Sequence, residues 1–137
     1  MKKYIIYFGL IILVGIGLMY YYTQRDSRND IRYRKPVEDI SALSLFQAFD
    51  QDEQAADHRF LGKTVKVSGQ IQSIETSPEK TTISLDTGDP MSAVICEMNN
   101  NLQSDFSQLK EGQVLALKGE CSGKLMDIIL VNCVLEN

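Results

Sequence analysis

Two octapeptides, GKTVKVSG at residues 62–69 and GQVLALKG at residues 112–119, share one pattern. Both begin and end with glycine, and both place apolar side chains at the fourth and sixth positions. Alternation with a period of two is typical of a half-buried strand. In a five-stranded barrel the first and fourth strands pair to close the sheet, and a glycine lets a strand coil sharply at that seam. The two segments therefore predict the closing strands of a small β-barrel.

The strand pattern continues on both sides of these segments. Val65, Val67 and Ile71 alternate with polar residues. The alternation slips before Ile74, which together with Gly69 predicts a bulge or a sharp bend. Turn-forming residues at 77–78, 88–90 and 122–124 separate the apolar runs. The sequence predicts strands at about 65–74, 81–86, 91–98, 114–121 and 125–135, with a short polar helix at about 102–109 between the third and fourth strands.

A helix is predicted immediately before the first strand. Ser41 is a suitable N-cap, and Gly62 can end the helix because glycine adopts the left-handed conformation without steric cost. Apolar residues recur at spacings of three and four, which places Phe46 and Phe49 on one stripe while acidic residues point away. Because an acidic face is unsuited to a lipid surface, the stripe is predicted to dock on the barrel.

Residues 1–23 are predicted to form a membrane anchor. From Tyr4 to Tyr22, nineteen residues carry no charged side chain. A helix of that length spans about 28 Å, close to the thickness of bilayer hydrocarbon, and tyrosines at both ends match an aromatic belt. A cleaved secretory signal is the alternative, but the bulky residues 18–22 offer no small-x-small exit. Residues 4–22 are thus expected to contact membrane lipid.

Residues 24–40 are predicted to be a polar tether, because they are rich in charge and contain Pro36. A short continuation of the membrane helix is the alternative for the part before the proline. By the positive-inside tendency, the basic residues of this segment would place the following domain in the cytoplasm. A short tail with Lys2 and Lys3 before an apolar run is, however, the usual layout of an export signal. We therefore expect a single-pass protein of a bacterial inner membrane, with residues 41–137 on the periplasmic or external side.

Residues of the predicted domain also form a recognisable set. They are Phe46, Phe49 and Ala56 in the helix, the Gly62-Lys63-Thr64-Val65 segment, Cys96, Gly119 and Cys121, and then Ile128, Leu130 and Cys133. On these residues, the segment from Ser41 to Leu135 resembles the tRNA-anti-like OB-fold lipoproteins, a bacterial group mostly of unknown function. The resemblance implies a mainly β fold, a five-stranded Greek-key OB barrel. Many relatives look lipid-anchored through an N-terminal cysteine, whereas no cysteine precedes Cys96 here.

The family name implies a likeness to nucleic-acid-binding barrels, but the composition of this domain argues against that ligand. Residues 41–137 carry seven basic and fourteen acidic side chains, a net charge of about −7. Single-strand binding depends on neutralising phosphates and on stacking bases against rings. All six tyrosines lie at or before Tyr33, there is no tryptophan, and no phenylalanine falls in a predicted strand. The basic stretch from Arg25 to Lys35 is interpreted as a solvated flank of the membrane helix.

The sequence also argues against catalysis. His58, the single histidine, falls on the acidic helix face, so neither a Ser-His-acid arrangement nor a two-histidine metal site is expected. Asp86 and Asp89 flank a turn with Gly88 and Pro90, and turn chemistry explains them. There is no phosphate-cradling loop. No enzyme activity, catalytic residue, cofactor or metal is predicted.

Cys96, Cys121 and Cys133 lack the close spacing of a zinc site. They can be small buried hydrophobic residues, or two of them can form a disulfide if the domain lies outside the cytoplasm. A hairpin across Gly123 would separate Cys121 from Cys133 by about 23 Å. The third and fifth strands of an OB barrel run side by side in parallel, so Cys96 with Cys133 is the predicted pair.

Together these features predict a membrane-anchored, non-catalytic OB-fold interaction module of the bacterial envelope. Its barrel loops would be presented to a protein, a peptide or a small ligand. Gly69, Gly119, Phe46 and Phe49 are the expected structural residues. An OB-fold nucleic-acid-binding protein is the alternative function, and a small hydrolase is a more distant one.

Overall fold

The computed structural model describes residues 1–27, 30–102 and 106–136. The helices are α1 (Lys2–Ser27), the 3-10 helix η1 (Ile31–Tyr33), α2 (Ala42–Gln51) and α3 (Glu53–Phe60). The strands are β1 (Asp39–Ser41), β2 (Thr64–Thr76), β3 (Thr81–Asp86), β4 (Ala93–Met98), β5 (Val114–Lys124) and β6 (Ile128–Glu136).

Strands β2 to β6 form a closed sheet with the order β2-β3-β4-β6-β5, and β5 pairs back to β2. The closing pair is antiparallel and joins the two octapeptides: Val65 lies opposite Gly119, and Gly69 lies opposite Leu115. Strands β4 and β6 run parallel, as predicted for the third and fifth strands. The predicted five-stranded OB barrel of a mainly β chain is therefore confirmed.

Two glycines of the closing strands lie where another side chain comes very close. A Cβ at Gly119 would overlap the Cys133 Sγ atom and would lie 3.2 Å from the Leu130 Cβ atom. A Cβ at Gly69 would lie 3.0 Å from the Ala42 Cβ atom at the start of α2. The first glycine gives Cys133 its space in the core, and the second lets the helix sit directly on the sheet.

One turn lies three residues later than expected. The predicted turn at 122–124 is wrong, because β5 continues to Lys124 and the turn is formed by residues 125–127. Gly123 instead lies beside a register shift between β5 and β6, with a φ of 102°. A glycine at positive φ marks a bulge as readily as a turn. The irregularity predicted before Ile74 is confirmed as a register shift between Ile71 and Ser73.

The single helix predicted before the barrel is two helices. Ser41 is the N-cap of α2, as predicted, and its side chain accepts a hydrogen bond from the Ser44 N–H. Asp52 has an extended backbone, ends α2 and begins α3, where its carboxylate accepts from the Ala55 N–H at 3.0 Å. An aspartate that satisfies a free N–H stabilises a new helix start. Gly62, with a φ of 71°, follows the end of α3 as predicted.

The helix pair covers the barrel core. Leu45, Phe49 and Phe60 are fully buried, and the two phenylalanine rings lie 6.1 Å apart. Phe46 is only half-buried, and the Lys124 Nζ atom lies 5.0 Å from its ring centre. Phe49 is thus a core residue, whereas Phe46 packs at the edge of the core.

The predicted short helix between the third and fourth barrel strands falls partly on residues 103–105, which lie outside the described residues. On either side of them, residues 101–102 and 107–108 form turns. Phe106 and Leu109 pack against the core from this connection.

Residues 30–41, which we call the collar, lie against the barrel. Ile31 is 3% exposed, and η1 contacts β5 and β6. The Lys118 Nζ atom donates to the Arg32 carbonyl at 2.8 Å, and Arg34 pairs with Glu120 at 3.2 Å. Strand β1 then adds to β2 in parallel. Part of the segment predicted to be a tether is therefore held by the barrel, while the domain boundary at residues 40 and 41 stays a prediction.

Helix α1 contains one segment, Lys3–Tyr22, that is long and apolar enough to cross a membrane. None of that segment is buried against the rest of the described chain. A signal sequence can have the same length and composition, so a membrane anchor and a signal sequence share this property.

Replacing Phe49 by alanine should test whether the helix pair is part of the core. Loss of a fully buried ring is expected to lower the free energy of unfolding by about 3 to 5 kcal/mol. Urea unfolding of the full-length protein in detergent, read out by pulse proteolysis, measures this change. Leu43→Ala, an exposed position on the same helix, is the matched control and should change stability by less than about 1 kcal/mol. Equal losses for both variants would contradict the described core.

Candidate ligand face

In OB barrels, ligands bind the outer face of the second and third barrel strands, flanked by loops. Here those strands are β3 and β4. Thr82 and Ser84 of β3 face outward beside Glu97 and Ile95 of β4, in the pairs Thr82 with Glu97 and Ser84 with Ile95. Ile129 of β6 lies directly opposite Ile95 and widens the face. These five side chains define what we call the ligand face.

The ligand face is small, partly apolar and lined by hydroxyl groups. Ile95 and Ile129 are half-buried and form its centre, while Thr82 and Ser84 supply groups that can donate or accept hydrogen bonds. Glu97 adds a negative charge, and its carboxylate accepts from the Lys80 Nζ atom at 3.0 Å. Such a surface suits an uncharged ligand or a polypeptide better than a polyanion.

The features that hold single-stranded nucleic acid are missing from this face. None of the described strands β2 to β6 contains an aromatic residue, so no ring stands where bases would stack. Lys80, which borders the face, is already paired with Glu97. Glu75 of β2 lies opposite Thr82 and is exposed, which adds a further negative charge. The field at this face therefore opposes a phosphate backbone.

Two neighbouring loops form an exposed apolar rim at the end of the barrel near α2. Met91, Leu125 and Met126 are 76%, 84% and 71% exposed. The loops are joined by hydrogen bonds from the Ser92 Oγ atom to the Met126 carbonyl at 3.3 Å and from the Ala93 N–H to the Asp127 carboxylate at 2.8 Å. Flexible methionine side chains on a fixed loop pair can adapt to an apolar partner.

Sequence reasoning did not single out this rim. Its residues lie in turns, where hydrophobic periodicity carries no information, and they become neighbours only when the loops at 87–92 and 125–127 meet. The available signal was the occurrence of Met91 and Met126 beside turn-forming Pro90 and Asp127. Large apolar side chains within such turns are exposed by default, so their position favours contact with another molecule.

The two carboxylates considered for catalysis have structural roles. Asp86 accepts from the Gly88 N–H at 2.8 Å, and Asp89 accepts from the Met91 N–H at 2.7 Å, as expected for turn chemistry. His58 is exposed on α3. Within the described ranges, no group of three or more histidine, cysteine, aspartate or glutamate residues is arranged to hold a metal ion.

The three cysteines are buried free thiols. Cys133 and Cys96 share a hydrogen bond, and that bond together with burial raises the pKa of the Cys133 thiol well above its usual value. Burial likewise raises the pKa of the Cys121 thiol. A protonated, buried thiol is a poor nucleophile, so these residues have no features of a reactive site. The geometry brings together the two thiols of the predicted pair, and the bond itself stays a prediction.

A comparison with protein families identifies the group to which this barrel and its N-terminal helix belong. A family model described as tRNA_anti-like matches residues 1–135. The chain belongs to the tRNA_anti-like family. This agrees with the resemblance that the sequence itself suggests, and it extends over α1 as well as over the barrel. A search of curated protein sequences gave no significant match to this tRNA_anti-like chain.

Solved structures are similar to this chain at low sequence identity. A candidate nucleic acid-binding lipoprotein from Klebsiella pneumoniae is 18% identical, with a TM-score of 0.58 over 72% of this chain and 91% of that chain. The S. pombe Stn1-ten1 complex is 16% identical, with a TM-score of 0.43 over 53% and 56% of the two chains. A candidate aspartyl-tRNA synthetase from Leishmania major is 13% identical, with a TM-score of 0.47 over 77% and 22%. Of these three, the Klebsiella structure is the one whose similarity shows that it shares its fold with this chain.

Peptide mapping without reduction should test the predicted Cys96–Cys133 bond. For protein recovered from an oxidising compartment, we expect peptides containing Cys96 and Cys133 to be linked and Cys121 to be alkylated after denaturation. A bridge closing a loop of this length stabilises a fold by about 4 kcal/mol. Because the folded thiols are protonated and buried, the bond should form during folding. Cys121→Ser should retain the linked peptides, and three alkylated thiols in the wild-type protein would refute the pair.

Proposed function

We propose that this tRNA_anti-like protein is a non-catalytic interaction module that α1 anchors in a membrane. The observation that carries the proposal is the short connection between α1 and the barrel. An apolar helix that is not buried against any described part of the chain is followed, two residues after its end, by the collar, which is attached to an OB barrel. Exposing such a helix to water is unfavourable, and a bilayer removes that cost.

The proposed ligand is a protein or peptide with apolar side chains, and a small uncharged molecule is the alternative. The half-buried isoleucines and hydroxyl groups of the ligand face support this class, and so does the exposed rim of Met91, Leu125 and Met126. A catalytic role has no comparable support, because Asp86 and Asp89 accept hydrogen bonds within a turn and Glu97 pairs with Lys80.

We further propose a bacterial inner membrane as the location, with the barrel on the periplasmic or external side. A match to a structure described as a lipoprotein supports association with a membrane. The export-like tail before the apolar helix supports the external side, and the predicted disulfide would be consistent with it.

Fractionation of cells that express the full-length protein should test the anchor. We expect the protein to remain in the membrane pellet after carbonate washing and to enter detergent extracts, because a spanning helix is held by hydrocarbon and not by charge. Protease added to spheroplasts should digest the barrel if it lies outside. Release into the carbonate supernatant with residues 1–22 intact would contradict the anchor, and protection in spheroplasts but not in lysed cells would reverse the orientation.

Nucleic acid is the second candidate ligand, and the family name together with the Klebsiella structure favours it. The ligand face is acidic and has no aromatic side chain, so we expect that it does not bind nucleic acid. Fluorescent single-stranded DNA and RNA, titrated with the full-length protein in detergent at low salt, should therefore show no saturable binding. Glu75→Lys with Glu97→Lys reverses two charges at this face and should raise any residual binding. Tight, salt-sensitive binding by the wild-type protein would make nucleic acid, and not a protein or peptide, the favoured ligand.

A further inference from the structure

The segment that joins α1 to the barrel suggests how the barrel is oriented at the membrane. We propose that the collar docks on the bilayer headgroups through Tyr33 and Val37, so that strand β5, with its neighbours β2 and β6, faces the membrane. The proposal rests on the proposed function, because it requires α1 to lie in a bilayer.

The covalent connection leaves the barrel little freedom to move away from the surface. From Ser27, the last residue of α1, to Asp30 the chain makes three Cα steps and spans about 11 Å at most. The part of α1 beyond Tyr22 adds about 7.5 Å as a helix. A domain of about 100 residues has a radius of gyration of about 13 Å. The barrel therefore cannot be far from the lipid, and one of its sides must lie near the headgroups.

The collar decides which side that is, because it is fixed to the barrel. Ile31 is buried, Lys118 holds the Arg32 carbonyl, and Arg34 pairs with Glu120. The Lys118 Nζ atom also lies 3.2 Å from the Glu136 carboxylate of β6. The point at which the chain reaches the barrel is thus attached to β5 and β6 and cannot move to another strand without breaking these contacts.

The exposed side chains of the collar suit a headgroup layer. Tyr33 is 84% exposed and Val37 is 56% exposed, and tyrosine has an apolar ring with a polar tip that is favoured at membrane interfaces. The Arg32 guanidinium lies 5.8 Å from the Tyr33 ring and also pairs with Asp30 at 2.6 Å. Lys35 is exposed and has no ion-pair partner among the described residues, so it is available to lipid phosphates.

This orientation would leave the β3 and β4 side chains of the ligand face accessible. In the closed order β2-β3-β4-β6-β5, strands β3 and β4 lie across the barrel from β5. With β5 toward the bilayer, the ligand-face side chains of β3 and β4 lie on the opposite side of the barrel. A partner could then reach Thr82, Ser84, Ile95 and Glu97 without first displacing lipid.

The sequence contains no tryptophan, which permits a direct test of this orientation. Tyr33→Trp in the full-length protein introduces a single fluorescent tryptophan. The protein is reconstituted in vesicles of phosphatidylcholine and phosphatidylglycerol with brominated acyl chains, which quench the fluorescence of an indole ring only when that ring lies in the bilayer or at its interface. We expect blue-shifted emission and severalfold stronger quenching for Tyr33→Trp than for Glu79→Trp, an exposed control on the β2–β3 turn. Adding Val37→Asp to Tyr33→Trp should reduce the quenching toward the level of Glu79→Trp.

Tyr21→Trp separates failure of this inference from failure of the anchor. Strong quenching at position 21 with water-exposed, unquenched emission at position 33 would refute the docked collar and leave the anchor intact. Unquenched emission at both positions would refute the anchor as well. Equal quenching at positions 33 and 79 would also overturn the inference, because the barrel would then have no preferred side toward the lipid.

Discussion

Closure of the sheet between β2 and β5 is the constraint on which the rest of this structure depends. Two glycines in the closing strands make this packing possible. At Gly119 the Cys133 thiol occupies the space of a Cβ, and at Gly69 the Ala42 Cβ atom of α2 lies only 3.0 Å from the position that a Cβ would take. The same seam therefore sets how tightly the barrel closes and where the helix pair lies. Since α2 brings Phe49 into the core, the packing of the barrel interior follows from the same two positions.

Much of this fold could be predicted from the sequence because its signals are local. Alternation identified the strands, and the repeated glycine pattern identified which strands close the sheet. The errors came from residues whose signals have two meanings. Asp52 can lie on the polar face of a helix or begin a new one, and Gly123 can form a turn or a bulge. Burial of Ile31 was not visible in a polar segment, because it depends on contacts with β5 and β6 that are distant in the sequence.

For the candidate site too, the sequence predicts the local features, and it does not predict those that depend on contacts between distant segments. The shortage of rings and basic side chains could be counted directly, and it describes the ligand face well. The exposed rim of Met91, Leu125 and Met126 was not predicted, because its residues become neighbours only where two loops from different hairpins meet. Likewise, the register of β4 and β6 decides that Ile95 and Ile129 are neighbours, and no pattern within either strand gives that pairing.

The ring of five strands also has a consequence for the proposed membrane anchor, which would confine the protein to two dimensions. Tethering raises the local concentration of copies, and exposed strand edges at high concentration promote intermolecular β-pairing. Here each of the five barrel strands has neighbours on both sides, and the added β1 is only three residues long. Crowded copies of this chain would therefore find few backbone groups through which to polymerise, and sheet closure would protect the protein against aggregation at the lipid surface.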